Sequence, residues 1–153
     1  MSDFQALLKE QLPRLIRYAT ALTRDADEAL DLAEDTVLEA LDYDDPPSSE
    51  PELRVWLLTI LHDNRANPFR RSDPLAPPSR PEALGLSDLD RALGELPEQQ
   101  RAVILLAGLE GMSDDQSAAI LRISAHTIRS ELAHARANLC GLLGVRERLL
   151  QAA

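Results

Sequence analysis

The chain has 153 residues, 26 acidic against 16 basic, and a formal charge of −10 at neutral pH. Hydrophobic residues make up 44% of it, too many for a disordered acidic tail, while the longest apolar runs are only a few residues, so no membrane span is expected. No basic-then-apolar leader opens the chain and the single Cys140 cannot form an internal disulfide, so a cytoplasmic protein of one ordinary domain or two very small ones is expected; its acidity speaks against unaided, phosphate-driven binding to nucleic acid.

Aliphatic residues recur at helical spacing almost throughout. Phe4, Leu7, Leu8, Leu12, Leu15, Ile16, Ala19 and Leu22 form one stripe, on one helix kinked at Pro13 or on two helices, the second with Pro13 in its first turn. A further helix is predicted from about Asp25 to Leu41, with Leu30, Ala33, Val37 and Leu41 inward and Asp25, Asp27 and Glu28 in its first turn, where carboxylates suit the positive helix end. The stretch 42–51, with three prolines, reads as a loop. Ser49 and Glu52 fit a capping box for a third helix carrying Leu53, Trp56, Leu57, Ile60 and Leu61, which Pro68 should stop.

Residues 73–89 are proline-rich and aperiodic, and they divide the chain into modules at 1–72 and 90–153. The first module carries eight basic and fifteen acidic residues, the second seven and eight. The second is again helical: a helix from Asp88 or Asp90, an interruption at Leu96-Pro97, a helix carrying Val103, Ile104, Leu106 and Leu109, another opened by Ser113 with Gln116 as a capping box, and a long last helix from about Ala125. No strand pattern of useful length occurs. The expected fold class is all-α, a three- or four-helix bundle followed by a helix-turn-helix module.

The stretch 113–132, SDDQSAAILRISAHTIRSEL, meets the requirements of a helix-turn-helix. Ala118 is small where the helices cross, a tight turn follows at Arg122, and Ile128 points back to the core. Ser124 can cap the second helix, whose first turns would expose His126, Thr127, Arg129 and Ser130, with Arg136 two turns on. Arg122 breaks one local rule, since the turn backbone often needs positive φ, which favours glycine.

Several strings resemble one family when taken in order. LPEQQR at 96–101, LEGMS at 109–113 and TIRS at 127–130 resemble region 4 of the extracytoplasmic-function (ECF) sigma factors of bacterial RNA polymerase. LPRL at 12–15, DLAEDTVL at 31–38 and WLLTIL at 56–61 resemble region 2 of the same family. The resemblance implies a non-catalytic factor whose partners are core RNA polymerase, promoter DNA and an anti-sigma factor, with no cofactor. It implies that Asp31, Leu32, Glu34 and Asp35 bind the polymerase. It further implies that Arg65, Arg70 and Arg71 serve the minus-ten element, and that His126, Thr127, Arg129, Ser130 and Arg136 serve the minus-thirty-five element.

The departures fall on nucleic-acid contacts: Glu131 stands where the family has arginine, His134 is mostly neutral, and Asp63 lies in a stretch that is usually basic. They keep a second reading open, a sigma mimic of the PhyR general-stress type that binds an anti-sigma factor. Modules packed together would suit an occluded form, and separated modules a partner-bound one. Enzyme chemistry has little support. His62 and Asp63 read as exposed polar residues, His126 and His134 are too few for a zinc site, Cys140 reads as a small core residue, and there is no glycine-rich phosphate loop. Trp56 is expected as a core anchor and residues 42–45 as a solvated acidic loop.

Overall fold

The computed structural model describes residues 3–67 and 88–144. Within them the chain forms seven helices: α1 (Asp3–Thr23), α2 (Ala26–Leu41), α3 (Glu50–Ala66), α4 (Asp88–Glu95), α5 (Glu98–Gly108), α6 (Asp114–Leu121) and α7 (Ala125–Leu143). No strand occurs among the described residues. The 73–89 stretch expected as a linker lies outside them except for its last two residues, which are already in α4.

Local chemistry sets the helix ends. Asp25 caps α2 by accepting from the Asp27 and Glu28 N–H groups, at 3.0 and 3.3 Å. Ser49 accepts from the Glu52 N–H at the start of α3. Ser113 and Gln116 exchange bonds in a full capping box, at 3.1 and 2.9 Å, and Ser124 caps α7 through the Thr127 N–H at 3.0 Å. Asn67 ends α3 with extended ψ, as a residue before proline must. Pro13 neither ends nor divides α1. It lies on the exposed side of one continuous helix, where its missing N–H faces solvent.

The helices α1, α2 and α3 form the first bundle, with Tyr18, Leu22, Leu32, Leu53, Leu57 and Leu61 fully buried. The second module has a small centre of its own, Val103, Ile128 and Leu132. The main core does not stop at the module boundary. Ala102, Leu105, Leu106, Met112 and Ile120 join it, as α5 packs on α1 and α6 on α3. The modules are therefore packed together in this structure.

Polar groups reinforce that contact. The buried Arg101 guanidinium has carbonyl partners only from helix ends: Leu93, Gly94 and Leu96 around the end of α4, and Leu22 at the end of α1. Helix C-termini carry partial negative charge and unpaired carbonyls, so one planar five-donor group satisfies two of them together. Arg54 donates to both the Glu110 carbonyl, at 2.8 Å, and the buried Glu110 carboxylate, at 3.2 Å.

The structure corrects the expected placement of His62, Trp56 and Cys140, while Asp63 is exposed as expected. His62 is not an exposed polar residue. Its Nε2 lies 2.7 Å from the fully buried Tyr18 hydroxyl, and the rings meet edge-on. Asp63 is exposed but paired with Arg122. Trp56 is half-buried, lying under Tyr43 and Phe4 with ring centroids 5.0 and 6.3 Å away, rather than in the core. Cys140 is exposed rather than a small core residue.

Burial drives His62 down to a pKa of about 4, against the opposing pull of Glu98 and Asp63. Between the ordinary value of about 6.5 and 4, the unfolded chain binds a proton at this site that the folded chain refuses. Stability should therefore be constant above pH 6.5 and fall by about 3 kcal/mol toward pH 4 through this group alone. In urea unfolding series across this window, the wild type should lose that increment relative to His62→Asn; parallel curves would contradict it. Arg101→Met should cost about 3 kcal/mol or more by orphaning buried carbonyls, and Arg101→Lys should not restore it, because a point donor cannot span both helix ends. Equal stability of the lysine variant and the wild type would refute that reading.

Candidate functional site

On α2 the usual size order is inverted. The buried positions are Ala29, Leu32, Ala33, Thr36 and Ala40, and three of the five are alanines. Small side chains let α2 lie close against α1 and α3. The bulky Leu30, Leu38 and Leu41 project outward and are 47%, 63% and 45% exposed. Leu30 and Leu41, expected inside, are thus outside. Asp31 and Glu34 are exposed on the same side and Asp35 is half-buried, whereas Leu32 is fully buried and cannot present its side chain to a partner. The result is an exposed apolar stripe edged by carboxylates, the composition of a protein-binding face. The signal was present in the sequence as the spacing of the alanines, which mark the inward face that the leucines were expected to occupy.

The helix-turn-helix forms as its spacing requires. The Arg122 backbone turns left-handed, with φ 57° and ψ 41°, and the Arg122 and Ile123 N–H groups both return to the Ala118 carbonyl. Ile128 is buried beneath α7. His126, Arg129, Ser130 and Arg136 are exposed, and Thr127 is half-buried with its hydroxyl 2.8 Å from that of Ser124. Glu131 is half-buried and His134 exposed on the same helix. The face is accessible, but its basic groups are few.

Arg65, on α3, is not open to solvent chemistry in this conformation. It pairs with Glu28 of α2 and with Glu98 of α5, the latter through two nitrogens at 3.1 and 2.6 Å. Arg70 and Arg71 lie outside the described residues. The described member of the expected minus-ten set is therefore engaged at the module boundary.

The sequence reading missed the boundary itself. Among the described residues four ion pairs cross it: Arg24–Asp90, Arg54–Glu110, Arg65–Glu98 and Asp63–Arg122. In the last, Arg122 donates Nε and Nη2 to the two Asp63 oxygens at 2.8 Å each, and this bond holds the Asp63 carboxyl below the usual carboxylate range. Beside Arg65–Glu98 and Asp63–Arg122 a cleft of about 170 Å³ is lined by His62, Glu98, Gln99, Ala102, Leu121 and Ile123. No cluster of three or more His, Cys, Asp or Glu suited to a metal occurs among the described residues, and no described helix is long and apolar enough to cross a membrane.

Two family models match the chain: Sigma-70 region 4 over residues 86–139, and the Sigma2 domain of PhyR over residues 8–62. The ECF RNA polymerase sigma factor EcfG of Rhodopseudomonas palustris (strain TIE-1) is 31% identical over 147 residues, covering 88% of this chain and 81% of that one. Among solved structures, the sigma factor RpoE of Bartonella quintana, in complex with the anti-sigma factor NepR, matches with a TM-score of 0.70 at 28% identity, over 95% of this chain and 99% of that one. The PhyRSL–NepR complex of Sphingomonas sp. Fr1 shares the fold, with a TM-score of 0.68 at 22% identity over 91% of this chain and 87% of that one. With region 2-like and region 4-like halves in order, and a relative of this identity matched over most of its length, the chain belongs to the ECF sigma factors of RNA polymerase, a family of non-catalytic transcription regulators.

Proposed function

We propose that this chain is a transcription initiation factor that binds core RNA polymerase through α2 and reads promoter DNA through α7. The outward leucines of α2 carry the reading. A helix that turns Leu30, Leu38 and Leu41 outward while burying alanines leaves an apolar face exposed among the described residues. Asp31 and Glu34 beside it favour a partner that pairs basic with aliphatic side chains. The near-neutral second module supports the DNA role. Arg129 and Arg136 supply the cations of the exposed α7 face, too few for phosphate-driven binding alone. DNA recognition then depends on the polymerase to hold the factor on the promoter. The compartment is the cytoplasm, where the polymerase works.

A second reading has specific support. The first half matches the Sigma2 domain of PhyR, and Asp63 and Glu131 place carboxylates on segments that would face phosphates. On that reading the chain is a sigma-like protein that captures an anti-sigma factor and binds little DNA.

Gel filtration with core polymerase separates the two. Co-elution is expected, and Leu38→Asp should weaken it roughly tenfold or more with little change in thermal stability, since Leu38 is 63% exposed. A folded protein that fails to co-elute, yet binds an anti-sigma factor tightly, would decide for the mimic. Arg129→Ala should lower run-off transcription from a cognate promoter by about tenfold, the scale of one lost base-edge contact. Unchanged transcription would show that α7 does not read DNA.

A further inference from the structure

Two non-glycine residues adopt positive φ among the described residues, and both are arginines directly following a helix: Arg24 (φ 63°) after α1 and Arg122 (φ 57°) after α6. Glycine would make either turn without steric cost, and a side chain with a Cβ does so under strain. Each of these arginines reaches across the module boundary to a carboxylate. Arg24 meets Asp90 of α4 at 2.6 Å, and Arg122 meets Asp63 of α3. The first pair is largely buried and the second exposed. Gly94 makes room for the Arg24 guanidinium, because a Cβ there would stand 3.1 Å from its Nε.

Each feature is unfavourable to its own module. The two arginines strain their turns, and Asp63 puts a negative charge on a segment otherwise suited to phosphates. The features make sense only in pairs. The contact they close also includes the Arg65–Glu98 pair, and it places the Arg122 turn, which leads into α7, against α3. The geometry points to Arg24 and Arg122 as a two-point latch that holds the modules closed, in a resting form whose Arg65 is withheld from DNA. The regulatory half of this statement rests on the proposed sigma function, whereas the latch itself does not.

The test uses the full chain spin-labelled at its native, exposed Cys140 and at Lys9→Cys on the exposed side of α1. Pulsed dipolar spectroscopy then reads the distance between modules. The wild-type background should give one narrow distribution. Arg24→Gly with Arg122→Gly relaxes both turns and removes both pairs, so it should add a longer, broad population while helix content stays unchanged. Asp63→Arg alone should open the exposed point by like-charge repulsion, and Asp63→Arg with Arg122→Asp should close it again. Wild-type distances in the double-glycine variant, or failure of the charge swap to re-close the modules, would overturn the latch.

Core polymerase binding and run-off transcription are measured on the same proteins. The opened variants should bind and transcribe severalfold better than the wild type, and opened variants no more active than the wild type would overturn the withheld resting form. If neither the wild type nor the opened variants bound polymerase while the distances changed as expected, the sigma reading would fall and the latch would stand.

Discussion

The structure turns on one buried cation. Arg101 lies where α1, α4 and α5 converge, and its partners are carbonyls rather than a carboxylate. A buried charge is tolerable only when its donors are met, and a guanidinium has five of them in fixed directions. Two helix C-termini offer unpaired carbonyls in fixed directions as well. Matching the two sets the elbow between α4 and α5 and brings the end of α1 against it. The Arg24–Asp90 pair, which joins the residue after α1 to α4, then follows from that placement.

This has a consequence for charge. In three of the four cross-module pairs seen among the described residues, the basic partner comes from the acidic first module: Arg24, Arg54 and Arg65. Closure neutralises these cations with carboxylates of the second module and leaves the outward face of α2, with Asp31 and Glu34, with its acids exposed. The net −10 is thus not spread evenly over what a partner meets. The cation Arg65, by contrast, is held at the boundary. The exposed Asp63–Arg122 pair is individually weak, as solvent-screened pairs are, so it can bias the closed form without making it permanent.

The family-like motifs divide by physical role in a way that their strings do not announce. Arg101 and Glu110 belong to motifs shared with region 4, yet here both are structural, one joining helix ends and the other meeting Arg54 in the interior. Arg129 and Ser130, from the next motif, are exposed and available for recognition. Motif membership marked these positions alike. Burial separates those that hold the shape from those left at the surface.

Much was legible from sequence because it depends on neighbours within a few residues. The helix caps at Ser49, Ser113 and Ser124, the tight turn at Arg122, and the crossing of Ala118 with Ile128 are local chemistry, and helical periodicity is local geometry. The all-helical fold class followed from them. On α2 the expected stripe is half right: Ala33 and Val37 face the core while Leu30 and Leu41 do not, because periodicity locates apolar stripes but does not weigh alanine against leucine when neighbouring helices demand close approach. The partners of His62, Asp63 and Arg65 were out of reach for a different reason. Each is met by groups 33 or more residues away: His62 by Tyr18 within the first bundle, Asp63 and in part Arg65 across a boundary that composition marked as a division. The residues themselves determined the helices, their caps and the helix-turn-helix. Only the tertiary structure decided that the two halves share one core and pair their charges, since that outcome depends on how buried surfaces and helix ends match at a distance.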